Sequence, residues 1–308
     1  MDNFYTSHGQ NGFENPPFMQ GVQKMRVEIV DLYQTLSLPA PPGAAGRLTC
    51  YLGATPDKIG SGRRRPAVLI LPGGGYAYTS TREAEPVALR YLARGFNAFV
   101  LDYSCAPHAF PVALREAAMA MVHIRENAEA YGIGGDMVAA VGFSAGGHLC
   151  GCLGMLYDHP AVADIGTAAQ IRPDALGLHY PVAVSWGRTH RGSFQNISGG
   201  DDVLASRLSL EKRVRPDMPP AFIWHTRSDA SVPCRNSLLL AAAMEEAGVD
   251  FALHVYRTGQ HGLSVADETV YPAGSIPEIS ADISTWLDTE VAFFTELGLK
   301  IKDLEENT

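Results

Sequence analysis

The chain has 308 residues, of which 46% are hydrophobic and 19% are charged. This composition supplies enough apolar material for a large buried core and excludes an intrinsically disordered chain. No apolar stretch reaches the roughly 20 residues that a membrane-spanning helix needs. The 24 basic and 33 acidic residues give a net charge of −9, which would repel nucleic-acid phosphates. We therefore expect neither a membrane protein nor a nucleic-acid-binding protein.

The cysteines and the N-terminal residues indicate whether the protein needs a metal or cofactor and where in the cell it is located. Five cysteines at irregular positions, with no C-x-x-C pair, argue against a disulfide framework and against a zinc site. Residues 1–20 are polar and lack the basic and apolar regions of a signal peptide. We expect a cytoplasmic protein that needs no metal and no cofactor. The sequence leaves the formation of a homo-oligomer open.

Short apolar runs alternate with helical patterns along the chain, which is typical of βα units on a mainly parallel sheet. The first two runs resemble a leading pair, and the later ones resemble strands buried on both faces. The predicted strands are residues 27–33, 47–52, 67–71, 98–103, 138–143, 175–180, 221–225 and 251–256.

Helices are predicted between these strands from apolar spacings of three and four residues. One helix should follow Pro111 and stop at Gly132, and another should follow Ser144. The remaining predicted helices are residues 84–94, 235–247 and 277–297.

The predicted elements divide the chain into three parts. Residues 1–25 form an N-terminal segment, loosely ordered or cap-forming; residues 26–300 form a single α/β domain; residues 301–308 form a polar tail. Residues 181–220 lie between two predicted strands and are too many for a bare connection. We expect this segment to form a small cap over the functional site.

The strongest motif is Gly142-Phe143-Ser144-Ala145-Gly146, a G-x-S-x-G at the end of a predicted strand and the start of a helix. Strand, tight turn and helix are the setting of a nucleophilic serine, and side chains at the two outer positions would collide. The motif predicts Ser144 as a nucleophile. The alternative interpretation is a glycine-lined helix start with a capping serine.

A glycine-rich loop, Pro72-Gly73-Gly74-Gly75-Tyr76, follows the strand predicted at residues 67–71. Three glycines leave backbone N–H groups uncovered, so a developing oxyanion can approach them. We expect an oxyanion hole formed by the amides of Gly74, Gly75 and Ala145. Taken alone, three glycines also fit a flexible turn.

A serine nucleophile needs a base and an acid to orient that base, on loops after later strands. Asp229 follows the predicted strand 221–225, and His261 follows the predicted strand 251–256. The order Ser, Asp, His predicts a catalytic triad of Ser144, Asp229 and His261. An ordinary turn aspartate and a surface-loop histidine are the alternatives.

Four further side chains receive simpler interpretations. His148 follows Ser144 by four positions on the same helix and should point away from the site. His225 lies inside a predicted strand and is interpreted as a core or supporting group. Tyr76 and Trp186 are candidates for the walls of a substrate pocket.

These motifs resemble those of bacterial α/β-hydrolase esterases related to hormone-sensitive lipase and, more closely, of a group described as acetyl-xylan-esterase-like. The resemblance covers most of residues 26–297, including LPGGGYAYTSTREAEP, VGFSAGGHL, HYPVAVSW and GQHGLS. It implies an α/β-hydrolase fold, with a mostly parallel eight-stranded sheet, flanking helices and a small cap. It also implies a serine carboxylic ester hydrolase for small-molecule esters with short acyl groups, acetylated sugars or xylo-oligosaccharides being candidates.

Two other functions fit the same fold. One is a peptidase or amidase of the prolyl-oligopeptidase type, or an arylformamidase. The other is a non-catalytic ligand-binding protein, because a fold does not fix a function.

Overall fold

The computed structural model describes residues 24–54 and 62–303. Most of the predicted N-terminal segment and residues 304–308 of the predicted tail therefore lie outside the described residues. Residues 302 and 303, which we predicted as part of that tail, instead form a short strand.

Eight strands form one sheet in the order β1-β2-β4-β3-β5-β6-β7-β8. Strand β2 is antiparallel to both β1 and β4, and the other neighbours in this order pair in parallel. A short strand, β9, pairs antiparallel with the start of β3. The predicted α/β-hydrolase fold is confirmed. The strands are β1 (Arg26–Asp31), β2 (Arg47–Leu52), β3 (Arg63–Leu71), β4 (Asn97–Asp102), β5 (Ile133–Phe143), β6 (Ala175–His179), β7 (Ala221–Thr226), β8 (Phe251–Tyr256) and β9 (Lys302–Asp303).

Helices cover both faces of the sheet. Successive residues of a strand point to opposite faces, and Leu69 and Ile70 of β3 accordingly belong to two different apolar clusters. Residues of α3, α5 and α9 pack in the first cluster, and residues of α2 and α10 pack in the second. The helices are α1 (Leu32–Thr35), α2 (Glu85–Ala93), α3 (Val112–Glu126), α4 (Ala128–Tyr131), α5 (Ala145–Met155), α6 (Ala168–Ile171), α7 (Arg191–Ser198), α8 (Asp202–Arg207), α9 (Arg235–Glu246) and α10 (Trp286–Glu296).

Three predicted strands end earlier than expected: the strand predicted at 98–103 stops at Asp102, and the ends of the other two have a visible cause. The strand predicted at residues 27–33 stops at Asp31, whose carboxylate accepts a hydrogen bond from Gln34 N at 3.0 Å and caps α1. The strand predicted at 175–180 stops at His179, because Tyr180 adopts a left-handed φ of 37°. Local polar and backbone geometry, which hydrophobic pattern does not report, decides both ends.

Two predicted helices are also wrong in part. The helix expected from Pro111 to Gly132 is interrupted at Asn127, whose side-chain amide donates to His123 O at 2.8 Å. The helix expected at residues 277–297 begins only at Trp286, after a short 3₁₀ turn. Ser280 lies outside it because its backbone N–H donates to Thr258 O at 2.9 Å, which ties it to the loop after β8.

The segment of residues 181–220, between β6 and β7, contains α7, α8 and a 3₁₀ turn at Leu210–Lys212. In the described part of the chain, no helix has the length and apolar character needed to cross a membrane.

Candidate active site

Ser144 lies in the sharp turn between β5 and α5, with φ 55° and ψ −115°. Such angles cost about 1–3 kcal/mol for a residue other than glycine and persist only where the surroundings impose them. A Cβ atom on Gly142 would lie 2.1 Å from Gly146 O, and one on Gly146 would lie 2.0 Å from Leu71 O. The predicted need for glycine on both sides of Ser144 is confirmed.

The structure brings Ser144, His261 and Asp229 into one hydrogen-bonded chain. Ser144 Oγ lies 2.7 Å from His261 Nε2, and His261 Nδ1 lies 2.7 Å from Asp229 Oδ2. An ionised carboxylate can only accept, so Nδ1 carries the imidazole proton and Nε2 is left to accept from the serine hydroxyl. The arrangement can take a proton from Ser144.

The Asp229 carboxylate is fully buried and held in place by backbone groups. Its Oδ1 accepts from Ser231 N at 2.9 Å and from Val232 N at 2.8 Å. Burial acts to raise the pKa of Asp229, but hydrogen bonds from His225, His261 and the Val232 amide outweigh it, and the pKa falls below its usual value. The carboxylate therefore stays ionised and stabilises a proton on His261.

The loop that carries His261 is joined to the loop that carries Asp229. Gly259 O accepts from Thr226 Oγ1 at 2.7 Å and from Ser228 Oγ at 2.9 Å, and Gly259 N donates back to Ser228 Oγ. Because β7 and β8 are parallel neighbours, their carboxyl ends present both loops at one edge of the sheet. This explains how residues distant in sequence meet.

The glycine loop, residues 72–76, leaves backbone amides free beside Ser144. Gly73 N donates to Glu83 Oε2 at 2.8 Å. Among the hydrogen bonds of the described residues, none is donated by the amides of Gly74, Gly75 or Ala145. Gly74 has φ 123°, a conformation that side chains disfavour, and a Cβ there would lie 2.0 Å from Tyr78 O. These amides are available to an oxyanion.

A cavity of about 370 Å³, here called the Ser144 cavity, opens at these groups and is bounded by Ser144, His261, Gly74 and Gly75. A larger cavity of about 830 Å³ lies between α2 and strands β2 and β4, and neither Ser144 nor His261 borders it. Chemistry rather than size identifies the first as the candidate site. In the described ranges, 24–54 and 62–303, no group of three or more His, Cys, Asp or Glu side chains is arranged to hold a metal ion.

Several residues of the Ser144 cavity were missed by sequence reasoning. Arg82 and Glu83 border it from the segment before α2, and His190 and Asn196 border it from the 181–220 segment. Burial lowers the pKa of His190, and the nearby His261 lowers it further. Arg82 and Glu83 fall inside the stretch LPGGGYAYTSTREAEP that carries the resemblance, but no sequence pattern singled out any of these four side chains. Their positions at the cavity follow from tertiary contacts.

The structure places neither predicted wall residue on the Ser144 cavity. Tyr76 is buried, with its hydroxyl 2.7 Å from His148 Nδ1. Trp186 lies at the surface, where its Nε1 donates to Glu211 Oε1 at 2.8 Å and Arg235 stacks over its ring. Neither side chain lines the cavity, because other partners hold each one elsewhere.

His148 and His225 lie where the sequence suggested. His148 is a buried residue of α5, with Nε2 2.8 Å from Leu208 O. His225 is buried in β7, with Nε2 2.8 Å from Val232 O and 3.4 Å from Asp229 Oδ2. His225 thus supports the loop that carries Asp229.

The fold and the Ser144, His261 and Asp229 geometry place the protein among the α/β hydrolases. A prolyl oligopeptidase family model matches residues 120–291, more than half of the chain, and a BD-FAE model matches residues 56–171. The chain belongs to the prolyl oligopeptidase family.

Individual relatives are esterases and xylan-degrading enzymes. The chain is 38% identical over 232 residues to endo-1,4-beta-xylanase B of Butyrivibrio fibrisolvens, covering 71% of this chain and 36% of the relative. It is 29% identical over 252 residues to the acetylxylan esterase of Xylanibacter ruminicola, covering 78% and 48%. The chain thus spans about half or less of the length of these curated relatives.

A solved structure matches over almost its whole length. The acetyl ester-xyloside bifunctional hydrolase of Caldicellulosiruptor lactoaceticus is 31% identical with a TM-score of 0.75, and the match covers 90% of this chain and 98% of that one. These relatives confirm the predicted resemblance to acetyl-xylan-esterase-like proteins.

Proposed function

We propose that the protein is a serine esterase that hydrolyses short-chain acyl esters through an acyl-enzyme. The observation that carries this proposal is the continuous hydrogen-bonded chain from Ser144 through His261 to the buried Asp229. Free amides of Gly74, Gly75 and Ala145 beside it supply donors for an oxyanion.

In the first half of the reaction, Ser144 Oγ attacks the ester carbonyl carbon while its proton moves to His261 Nε2. The carbonyl oxygen gains negative charge and accepts hydrogen bonds from the free amides. When the intermediate collapses, the bond to the alcohol breaks, and the alcohol leaves with the proton from His261. The acyl group remains on Ser144.

Water completes the cycle by the same route. His261 takes a proton from water as the water oxygen attacks the acyl carbon, and the proton then returns to Ser144 Oγ. The acid is released and the serine is restored. Throughout, Asp229 holds the imidazole orientation and stabilises its positive charge.

The Ser144 cavity favours a small acyl group and a polar alcohol. At about 370 Å³ it is compact, and Ser80, Arg82, His190, Asn196 and Ser231 make its wall largely polar. Hydroxyl-rich alcohols would find hydrogen-bond partners there. We therefore propose acetyl esters of sugars or xylo-oligosaccharides as the substrate class. The similarity of the chain to an acetylxylan esterase and to an acetyl ester-xyloside bifunctional hydrolase supports this choice.

Kinetics across a panel of esters test the proposal. We expect kcat/KM to be highest for acetyl esters, to fall with acyl length, and to include acetylated xylo-oligosaccharides. Ser144→Ala should lose many orders of magnitude in kcat, and Ser206→Ala, a serine of α8, is the matched control. Ester hydrolysis by Ser144→Ala at the wild-type rate would end the assignment.

Amide hydrolysis is the second candidate, because the family model that covers most of the chain is that of the prolyl oligopeptidases. The same groups could attack an amide, whose amine leaving group would take its proton from His261. Parallel assays with acetyl esters and aminoacyl anilides separate the two. A higher kcat/KM for the anilides would favour the peptidase.

Location and assembly stay predictions. We propose a cytoplasmic protein, with homo-oligomer formation left open. Cell fractionation tests the first, and light scattering on the purified protein tests the second.

A further inference from the structure

Glu83 is a buried carboxylate between the glycine loop and the centre of the fold. Glu83 is the last residue of the 3₁₀ turn Thr81–Glu83, and it is only 3% exposed. Oε2 accepts from Gly73 N at 2.8 Å, and Oε1 accepts from the Tyr180 hydroxyl at 2.7 Å. Both carboxylate oxygens are therefore used, each by a different part of the site.

The Gly73 contact acts next to the nucleophile. A Cβ atom on Gly73 would lie 2.6 Å from Glu83 Oε2 and 3.0 Å from Ser144 Cβ. The Gly73 backbone is thus confined between Glu83 and Ser144. Because Gly74 and Gly75 follow directly, the Glu83 contact fixes the start of the segment that carries the free amides.

The Tyr180 contact acts on the loop that carries His261. The Tyr180 hydroxyl accepts from Ser264 N at 2.9 Å, and Ser264 Oγ donates to Arg82 O at 2.6 Å. The Tyr180 ring also meets the His261 ring edge-on at 5.1 Å. Glu83 therefore joins the glycine loop to the histidine loop through one tyrosine.

The chemistry at this position calls for a carboxylate. One N–H group, that of Gly73, and one O–H group, that of Tyr180, point at this position. An ionised carboxylate can accept from both, with a separate oxygen for each. Burial raises the pKa of Glu83, against the hydrogen bonds from Tyr180 and Gly73 that lower it. Loss of either bond would leave a buried carboxylate oxygen without its partner, which is costly, so the folded state favours both contacts.

We propose that Glu83 is a positioning residue that sets the oxyanion amides and the His261 loop in register with Ser144. The proposal rests on the proposed ester hydrolysis and adds a residue to it. Its effect should be confined to the transition state, since Glu83 fixes donors that an ester needs only once its carbonyl oxygen becomes charged.

Substitution of Glu83, with kinetics on an acetyl ester, tests this. Glu83→Ala should lower kcat by on the order of 10²-fold, as loss of an oxyanion donor does, with KM changed less than about threefold. Glu83→Gln keeps one oxygen that can accept from Gly73 and should lose only about tenfold, a partial rescue. Glu85→Gln, the same change at an exposed carboxylate two residues away, is the control and should behave as wild type.

Two readouts separate positioning from damage to the fold. The fraction of protein labelled by a fluorophosphonate after long incubation should stay that of wild type, and affinity for a boronic-acid analogue of the intermediate should fall in parallel with kcat/KM. Wild-type kcat in Glu83→Gln overturns the proposal, whether or not Glu83→Ala folds. So does a loss of kcat matched by an equal loss of labelled protein.

Failure of the proposed function would look different. In that case wild type and Ser144→Ala would hydrolyse the acetyl ester equally poorly. If wild type is active, Ser144→Ala is not, and Glu83→Gln equals wild type, then esterase function stands and the role of Glu83 does not.

Discussion

At the scale of single residues, the turn at Ser144 depends on the absence of side chains at Gly142 and Gly146. The left-handed φ of Ser144 lifts its hydroxyl toward His261, and the cost of this conformation is met by the contacts around it. Backbone atoms approach Gly142 and Gly146 so closely that no side chain fits. The turn can exist only while both positions stay glycine.

Gly142→Ala should therefore destabilise the fold and abolish ester hydrolysis. The new Cβ would lie 2.1 Å from a backbone oxygen, which cannot move aside as the end of a side chain can. We expect a loss of several kcal/mol, in the upper range for single substitutions, measured by denaturant unfolding. Gly135→Ala, on the same strand β5 with its nearest contact at 4.0 Å, should change stability little. Wild-type stability and activity in Gly142→Ala would refute the packing argument.

At the scale of elements, helix α5 shows how a buried polar residue can serve the fold. Every residue of Ala145–Met155 is buried, including His148. Its ring links the Tyr76 hydroxyl of the glycine loop to Leu208 O of the 181–220 segment. Burial lowers the pKa of His148 to about 4, so the folded protein keeps this ring neutral at ordinary pH.

The lowered pKa makes stability depend on pH. Unfolded His148 binds a proton near pH 6.5, whereas the folded residue binds one only near pH 4, so protons favour the unfolded chain between these values. The free energy of unfolding should fall as pH drops from 6.5 to 4, with about 3 kcal/mol from His148. In His148→Gln this fall should be smaller by that amount, measured by urea unfolding at several pH values. Identical pH dependence in both proteins would contradict the interpretation.

Sequence pattern predicted the elements better than their ends. The runs at β2 and β8 were placed with correct bounds, because each is a short run rich in apolar and aromatic residues. The start of α10 was wrong because Ser280 bonds to Thr258, a contact between distant segments. The hydrophobic pattern of a sequence indicates burial along one element, but it carries no information about contacts between distant segments.

The same contrast, between what sequence pattern indicates and what tertiary contacts decide, applies to the candidate site. The positions of Ser144, Asp229 and His261 followed from motif and strand order, and the structure brings them together. Tyr76 was misplaced as a pocket wall, since its hydroxyl finds His148 in the interior. Glu83 was overlooked, because nothing in the sequence separates it from the exposed Glu85 nearby.

At the scale of the whole molecule, the 181–220 segment contributes to the Ser144 cavity from outside the sheet. Asn196 of α7 donates from Nδ2 to Gly75 O at 2.9 Å. This bond connects the segment to the glycine loop and helps fix the peptide next to the free Gly75 amide. We propose that the segment is the cap predicted from sequence, and that it positions catalytic groups as well as substrate.

Asn196→Ala should lower kcat by about tenfold, because the peptide following Gly75 loses one of the contacts that orient it. Steady-state kinetics with an acetyl ester measure this effect. Gln195→Ala, an exposed neighbour on the same helix, is the control and should leave kcat unchanged. Unaltered kcat in Asn196→Ala would show that the bond to Gly75 has no catalytic consequence.

The proposed mechanism depends most directly on the reactivity of the Ser144 hydroxyl. A fluorophosphonate bonds covalently to a serine whose proton is taken by a neighbouring base, and mass spectrometry of the digested protein locates the adduct. We predict a single adduct on the peptide containing Ser144, absent from Ser144→Ala and strongly slowed in His261→Ala. A folded wild-type protein that stays unlabelled, or that carries the adduct on another residue, would contradict the assignment.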